Sequence, residues 1–259
     1  MERDGEVAAG SRAEAASGRG EYGIDGGAVA IGVFGVLLTA LASTAFWAYL
    51  HRRCKLAGFA GLAGLAVAAS AADYLYSSGS GKRAVWSELL DELDLRGDED
   101  VLDVGCGRGA VLMAAAHRVP EGRAVGADLW RRQDQSGNSR VATEQNALVE
   151  GVRDRVEVVD ADARDLPFPP ASFDLVTSSL MIHNIKGTEG RNRALSEIVR
   201  VLRAGGRLRI VDFPGAGRYA EVLREAGCVD ISVRRLDWRT WFGIPGHHLR
   251  LVLARKSSD

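Results

Sequence analysis

Apolar and polar positions divide the chain into a polar head, an apolar segment and a long alternating remainder. Residues 1–27 show no apolar period. They are rich in Gly, Ala, Ser, Glu and Arg, too poor in large apolar side chains to bury a core, and are expected to be a disordered tail. Residues 28–50 are free of charge, and at ~1.5 Å per residue they are long enough to cross a hydrocarbon layer of ~30 Å. Trp47 and Tyr49 close this run, where aromatic rings favour an interface, and His51, Arg52, Arg53 and Lys55 follow at once. A second apolar run, 56–72, is mostly Gly and Ala, which lets two helices approach closely. The pair reads as a membrane region over 28–76, with one or two transmembrane helices; a buried helical hairpin of a soluble protein is the competing arrangement. A cleaved signal peptide fits poorly, because the segment before the run is long and carries acids.

Residues 77–83 are Ser/Gly-rich and are expected to be a hinge. Their Ser-Gly-Ser-Gly-Lys-Arg is not a phosphate loop, since Tyr76 stands where that loop needs Gly and Arg83 where it needs Ser or Thr. From 84 to 259 the pattern alternates. Helical spacing appears over 84–95, 110–118, 140–150, 191–203 and 218–226. Strand-like runs lie at 101–104, 124–127, 156–159, 175–178, 208–211, 231–235 and 249–254. Alternation of this kind predicts a mainly parallel sheet with helices on both faces, a domain that should stand alone once residues 1–76 are removed.

Charge narrows the function. The 33 Lys and Arg nearly cancel the 34 Asp and Glu, so no basic field points to nucleic acid. Cys54, Cys106 and Cys228 are far apart, which suits neither a zinc site nor a disulfide framework.

Chemistry concentrates at strand ends. Val101-Leu-Asp-Val-Gly-Cys-Gly-Arg-Gly109 is a strand followed by a glycine turn into a helix, in which Gly105, Cys106, Gly107 and Gly109 let backbone approach a ligand and Asp103 accepts from an amino group or holds the loop. A dinucleotide site wants G-x-G-x-x-G; the spacing here is G-x-G-x-G. Asp128 ends the second strand and offers two acceptor oxygens to ribose hydroxyls, with Leu129 and Trp130 beside it for an adenine face. Asp160 and Asp162 both follow the third strand. The fourth run, Phe173-Asp-Leu-Val-Thr-Ser178, ends where ligands of such sheets sit, and His183 just beyond it titrates near neutrality and is a candidate general base; a positioning or capping role is the alternative.

In order and spacing these segments resemble class I S-adenosylmethionine-dependent methyltransferases, in particular the branch of ubiquinone/menaquinone and other small-molecule enzymes. Arg200-Val-Leu-Arg-Ala-Gly-Gly206 resembles that family's turn before the fifth strand, with Ala204 where Pro is usual. The resemblance implies a Rossmann-like α/β fold, a seven-stranded mainly parallel sheet with one antiparallel strand. It also implies S-adenosyl-L-methionine as cofactor, held at its amino-acid end by the glycine turn and at adenine by Asp162 and the Ala163 N–H, with Ser178 beside the methyl group. The expected partner is a small-molecule or lipid acceptor at a membrane, with the catalytic domain facing the cytosol. Two helices crossing would then put the basic 52–55 loop outside, against the positive-inside tendency, whereas a single crossing would not. A catalytically inactive binding or scaffold protein and a nicotinamide oxidoreductase are the competing readings. Asp134, Gln135 and Asn138, in a polar insertion, either line the substrate entrance or are solvated. Trp238, Trp241 and Phe242 wall an apolar site, touch a bilayer, or pack in the core.

Overall fold

Two helices without a polar face lead the chain in the computed structural model, which describes residues 19–258. The expected disorder of residues 1–18 lies outside the described residues. Helix α1 (Gly27–Leu50) and helix α2 (Cys54–Tyr76) run side by side as a hairpin, turning through Arg52 at φ 53°. Both are long and apolar enough to cross a membrane, and their outer faces are exposed.

The expected hinge is not a hinge in the structure. Ser77–Gly81 form a π-helical turn that carries α2 directly into α3 (Lys82–Asp91). The physical reason is burial. Ser77, Ser78 and Gly81 are all buried, and a Cβ on Gly81 would stand 2.2 Å from the Arg239 carbonyl oxygen, so glycine here serves close approach and not flexibility. The tail also differs from expectation over 19–26, which is an ordered strap. The backbone N–H groups of Gly20 and Glu21 donate to Glu150 and Asn146 (3.0 Å each), Ile24 N–H donates to Ser136 Oγ (2.8 Å), and Asp25 pairs with Lys82. Composition alone hid this, because Tyr22, Ile24 and Asp25 are few and their partners lie more than 50 residues away.

Beyond α3 the alternation folds as expected. The strands are β1 (Asp100–Val104), β2 (Arg123–Asp128), β3 (Val156–Asp160), β4 (Phe173–Ser179), β5 (Leu202–Asp212), β6 (Cys228–Arg235) and β7 (Arg250–Lys256). They form one sheet in the order β3-β2-β1-β4-β5-β7-β6, parallel except for β7, which runs against both neighbours. Helices α4 (Ala110–Ala116), α5 (Arg140–Val149), α6 (Thr188–Val201) and α7 (Tyr219–Glu225) supply the connections and edges. Strands β1 and β4 are buried almost throughout, as strands covered on both faces must be. On one face α6 and α7 bring Leu195, Ile198 and Leu223 onto Leu102, Val176 and Ile210; on the other α3 brings Val85, Trp86, Leu89 and Leu90 against Val101, Leu175 and Leu251.

β5 begins earlier than the pattern suggested, at Leu202, because Arg203-Ala-Gly-Gly206 continues the strand irregularly, with Gly205 at φ 74° and a register shift opposite 173–175. The sheet order reverses between β1 and β4, and it is outside the carboxyl ends of these strands that open α/β sheets bind ligands.

Candidate functional site

At that crevice lies a cavity of about 360 Å³. Its wall is built from the ends of four strands and the turns that follow them. β1 gives Asp103, Val104 and then Gly105, Cys106 and Gly107; β2 gives Ala127, Asp128 and Leu129; the turn after β3 gives Ala161, Asp162 and Ala163; β4 gives Ser179, Leu180 and Met181.

The glycine turn is held from two sides. Gly107 N–H donates to Asp128 Oδ2 (2.8 Å), and Arg108 N–H donates to Gln135 Oε1 (2.8 Å). Gly107 sits at φ 53°, and a Cβ there would stand 2.5 Å from Gln135 Oε1, so any side chain at this turn is strained and must displace Gln135. Asp128 spends its second oxygen on Trp130 N–H (2.6 Å). Next to it Asn138 is buried and its Oδ1 has no protein partner, an unsatisfied acceptor in the cavity wall beside a carboxylate.

Asp103 is 1 % exposed and accepts from Thr177 Oγ1 (2.8 Å). Burial pushes its carboxyl up to about 7; the Thr177 hydrogen bond opposes this and nearby Asp128 adds to it. Burial likewise raises the Cys106 thiol far above its ordinary range, so this cysteine is an apolar wall and not a nucleophile. Burial also raises Asp134. Asp162 goes the other way: the Arg164 guanidinium, bonded to both its oxygens (2.5–3.1 Å), holds its carboxyl below the usual range.

Of the residues singled out in the sequence, Asp103, Gly105, Cys106, Gly107, Asp128, Leu129, Asp162 and Ala163 converge on this one cavity. Asp160 does not; its carboxylate takes the Trp130 indole N–H and an ion pair with Arg140 (3.6 Å). Two expected cofactor contacts are absent from the wall. Ser178 turns inward, donating to the Val104 carbonyl (2.9 Å), and Ser179 takes its place. Gly109 is the N-cap of α4 at φ 87°, where a Cβ would crowd Met113 and Thr143, so its role is packing. Trp130 points to Asp160, away from the cavity, leaving Leu129 there alone.

His183 is also outside the wall, though Met181 and Asn184 on either side of it belong to it. Its ring is fixed: Nδ1 lies 2.6 Å from Oδ1 of the buried Asp212, whose Oδ2 accepts from the His183 N–H and the Tyr219 hydroxyl (3.1 Å each). In the neutral tautomer that donates Nδ1–H to this carboxylate, Nε2 carries the lone pair.

Among the wall residues that sequence reasoning missed are Asp25 and Lys82. Lys82 Nζ bonds both oxygens of Asp25 (2.6 and 2.8 Å), and the strap thereby joins the cavity wall. The only signal was a charged residue at the end of each polar stretch flanking the apolar hairpin.

Residues 102–210 match the family described as methyltransferase domain. The chain is 36% identical over 157 residues to 27-O-demethylrifamycin SV methyltransferase of Amycolatopsis mediterranei, covering 58% of this chain and 53% of that one. It is 36% identical over 135 residues to the ubiquinone/menaquinone biosynthesis C-methyltransferase UbiE of Pseudomonas fluorescens, covering 51% and 49%. The chain thus spans about half the length of the curated relatives it matches. Among solved structures, the fold is shared with a SAM dependent methyltransferase from Aquifex aeolicus (TM-score 0.52, 20% identity, 66% of this chain and 88% of that one). It is also shared with the cyclase SpnF (TM-score 0.54, 21% identity, 67% and 82%).

Proposed function

We propose that the α/β part of this chain is a class I S-adenosylmethionine-dependent methyltransferase and that the chain methylates a small, apolar or lipid-like acceptor at a membrane. The observation that carries the reading is the convergence of the glycine turn, Asp128, Asp162 and Asn138 on one cavity at the sheet's reversal point.

The residues present fit the cofactor. Asp128 and Asn138 offer acceptors for two ribose hydroxyls. Asp162 and the Ala163 N–H suit the adenine edge, as in the family. Asp103 and the turn at Gly105–Gly107 suit the cationic amino-acid end, where an ammonium would favour the ionised carboxylate. When bound, S-adenosylmethionine supplies a methyl group already made electrophilic by its sulfonium. What remains for the protein is alignment and exclusion of water. Leu180, Met181 and Ile185 give the cavity apolar surface, and the Asp25–Lys82 pair is part of its wall. His183, oriented by Asp212, is the group to take a proton from an acceptor that must lose one.

The hairpin is the membrane element of this reading, with the α/β part on the cytosolic side where the cofactor is found. That topology places Arg52, Arg53 and Lys55 across the bilayer, against the usual charge bias, and protease protection of the 51–55 turn in sealed vesicles tests it.

A second reading, cofactor binding without methyl transfer, draws on two facts: His183 stands outside the cavity wall, and a cyclase shares the fold. Calorimetry with S-adenosylmethionine and with NAD, followed by incubation of the full chain with methyl-labelled cofactor and membrane or metabolite extracts, separates the possibilities. Binding with label in a small molecule supports the proposal. Binding without label in any extract favours the second reading, and binding of NAD alone overturns both.

A further inference from the structure

The loop between β6 and β7 rides on the base of the hairpin. Gly243 N–H donates to Asp73 Oδ2 (2.8 Å), and a Cβ on Gly243 would meet the Ser70 carbonyl oxygen at 2.8 Å and the Phe34 ring at 3.1 Å. Phe242 packs edge-on to Tyr74 (5.8 Å between ring centres), and Trp238 lies flat on Tyr76 (5.4 Å, 7° between planes). Phe242 is buried, yet Trp238 is 54% exposed and Ile244 59%, two large apolar side chains turned outward from one loop.

Geometry gives this exposure a meaning. The loop touches the hairpin at Phe34 and Ser70, so the free arms run from Phe34 to Leu50 and from Cys54 to Ser70. Sixteen steps along each arm reach only ~24 Å at ~1.5 Å per residue. A hydrocarbon core is ~30 Å thick. At the tip, Trp47 stacks on His51 (4.6 Å) and lies under the Arg53 guanidinium (5.0 Å), an arrangement suited to a polar boundary. With that tip at the far boundary, the loop's contact level falls ~6 Å inside the near edge of the core, the depth at which interfacial apolar side chains sit. The hairpin flanks at its level are apolar too, with Val29, Ile31, Val33 and Leu75 exposed.

We infer that the 238–244 loop is a membrane-interface anchor, with Trp238 and Ile244 seated at the headgroup–acyl boundary of the leaflet on the side of the α/β part. This rests on the membrane reading of the hairpin. Its consequence is chemical. Phe242 contacts Phe213 (6.4 Å) and Phe213 contacts His183 edge-on (4.6 Å), so the anchor sets His183 two ring layers from the boundary at which an apolar acceptor partitions.

The test uses the full chain in phosphatidylcholine–phosphatidylglycerol vesicles, with lipids brominated just below the headgroup as collisional quenchers of tryptophan. Trp47→Phe removes the tip's contribution, and Trp238→Phe is then made in that background. The expected result is that shallow bromolipid still quenches the Trp47→Phe chain and that adding Trp238→Phe removes most of this remaining quenching. In parallel, Ile244→Asp should weaken vesicle partitioning several-fold. If Trp47→Phe lowers quenching but Trp238→Phe changes nothing further, the hairpin inserts and the anchor is wrong. If the chain does not float with vesicles at all, the membrane reading fails and takes the anchor with it.

Discussion

Asp103→Asn separates stability from binding at the centre of the site. The distance from an ordinary carboxyl at 3.8 to about 7 corresponds to about 4 kcal/mol at ~1.4 kcal/mol per pH unit. The sign follows from the raised value. Between pH 3.8 and 7 the unfolded chain gives up this proton while the folded chain keeps it, so the wild-type protein loses stability as pH rises through that window and gains nothing back above it. Asparagine keeps the oxygen that accepts from Thr177 but adds a buried NH2, which offsets roughly 1–3 kcal/mol if left unpaired. The net expectation at pH 8 without ligand is a variant more stable by about 1–3 kcal/mol, a Tm rise of roughly 2–10 °C for a chain of this size. Near pH 4 the ionisation contribution vanishes and only the buried NH2 penalty remains, so the sign should reverse and the variant should be the less stable by roughly 1–3 kcal/mol. Binding should move oppositely. A cationic amino group prefers the carboxylate, so wild-type affinity for S-adenosylmethionine should fall about tenfold per pH unit below 7, a dependence Asp103→Asn should lose along with most of its affinity. Thermal melts at pH 4 and 8 and calorimetry at pH 6 and 8 measure all of this. A Tm difference that is the same at both pH values, or wild-type affinity that is flat between pH 6 and 8, refutes the reasoning.

Asp25→Ala should leave the nearly buried Lys82 ammonium unpaired, lowering Tm by several degrees and loosening this part of the cavity wall, seen as faster hydrogen exchange in the 134–138 segment. For the same reason, deletion of residues 1–76 should yield a domain that binds cofactor more weakly than the full chain, measured by calorimetry. Gly107→Val should abolish cofactor binding, since its side chain must displace Gln135 and its backbone at φ 53° disfavours a β-branched residue. If the acceptor loses a proton in the reaction, His183→Gln should cut kcat at least tenfold with KM little changed; a purely structural His183 would lower Tm and leave kcat within a few-fold.

Much of the α/β part was legible because its signals are local. Strand runs, the glycine turn and the acids closing β2 and β3 each follow from sequence spacing, and the resemblance then orders them. Ser178 was misjudged by one position: in a strand, successive side chains face opposite ways, and the pattern alone did not reveal whether Ser178 or Ser179 faced the crevice. The strap and the π turn failed for another reason. Asp25 meets Lys82 only across the whole hairpin, and Gly81 reads as flexible until the Arg239 carbonyl is known to press against it. Trp238, Trp241 and Phe242 illustrate the same limit. One loop of similar residues divides into an exposed ring, a ring whose indole N–H donates to His248 (3.2 Å), and a buried one.

Because Ser77–Gly81 continue the helical rod instead of interrupting it, no loop separates the α/β part from the hairpin. Whatever fixes the attitude of the hairpin also fixes the compass heading of the cavity mouth. Encounters with an acceptor are then drawn from one narrow sector of approach, and inserting a few glycines after Tyr76 would convert a mounted instrument into one swinging on a cord.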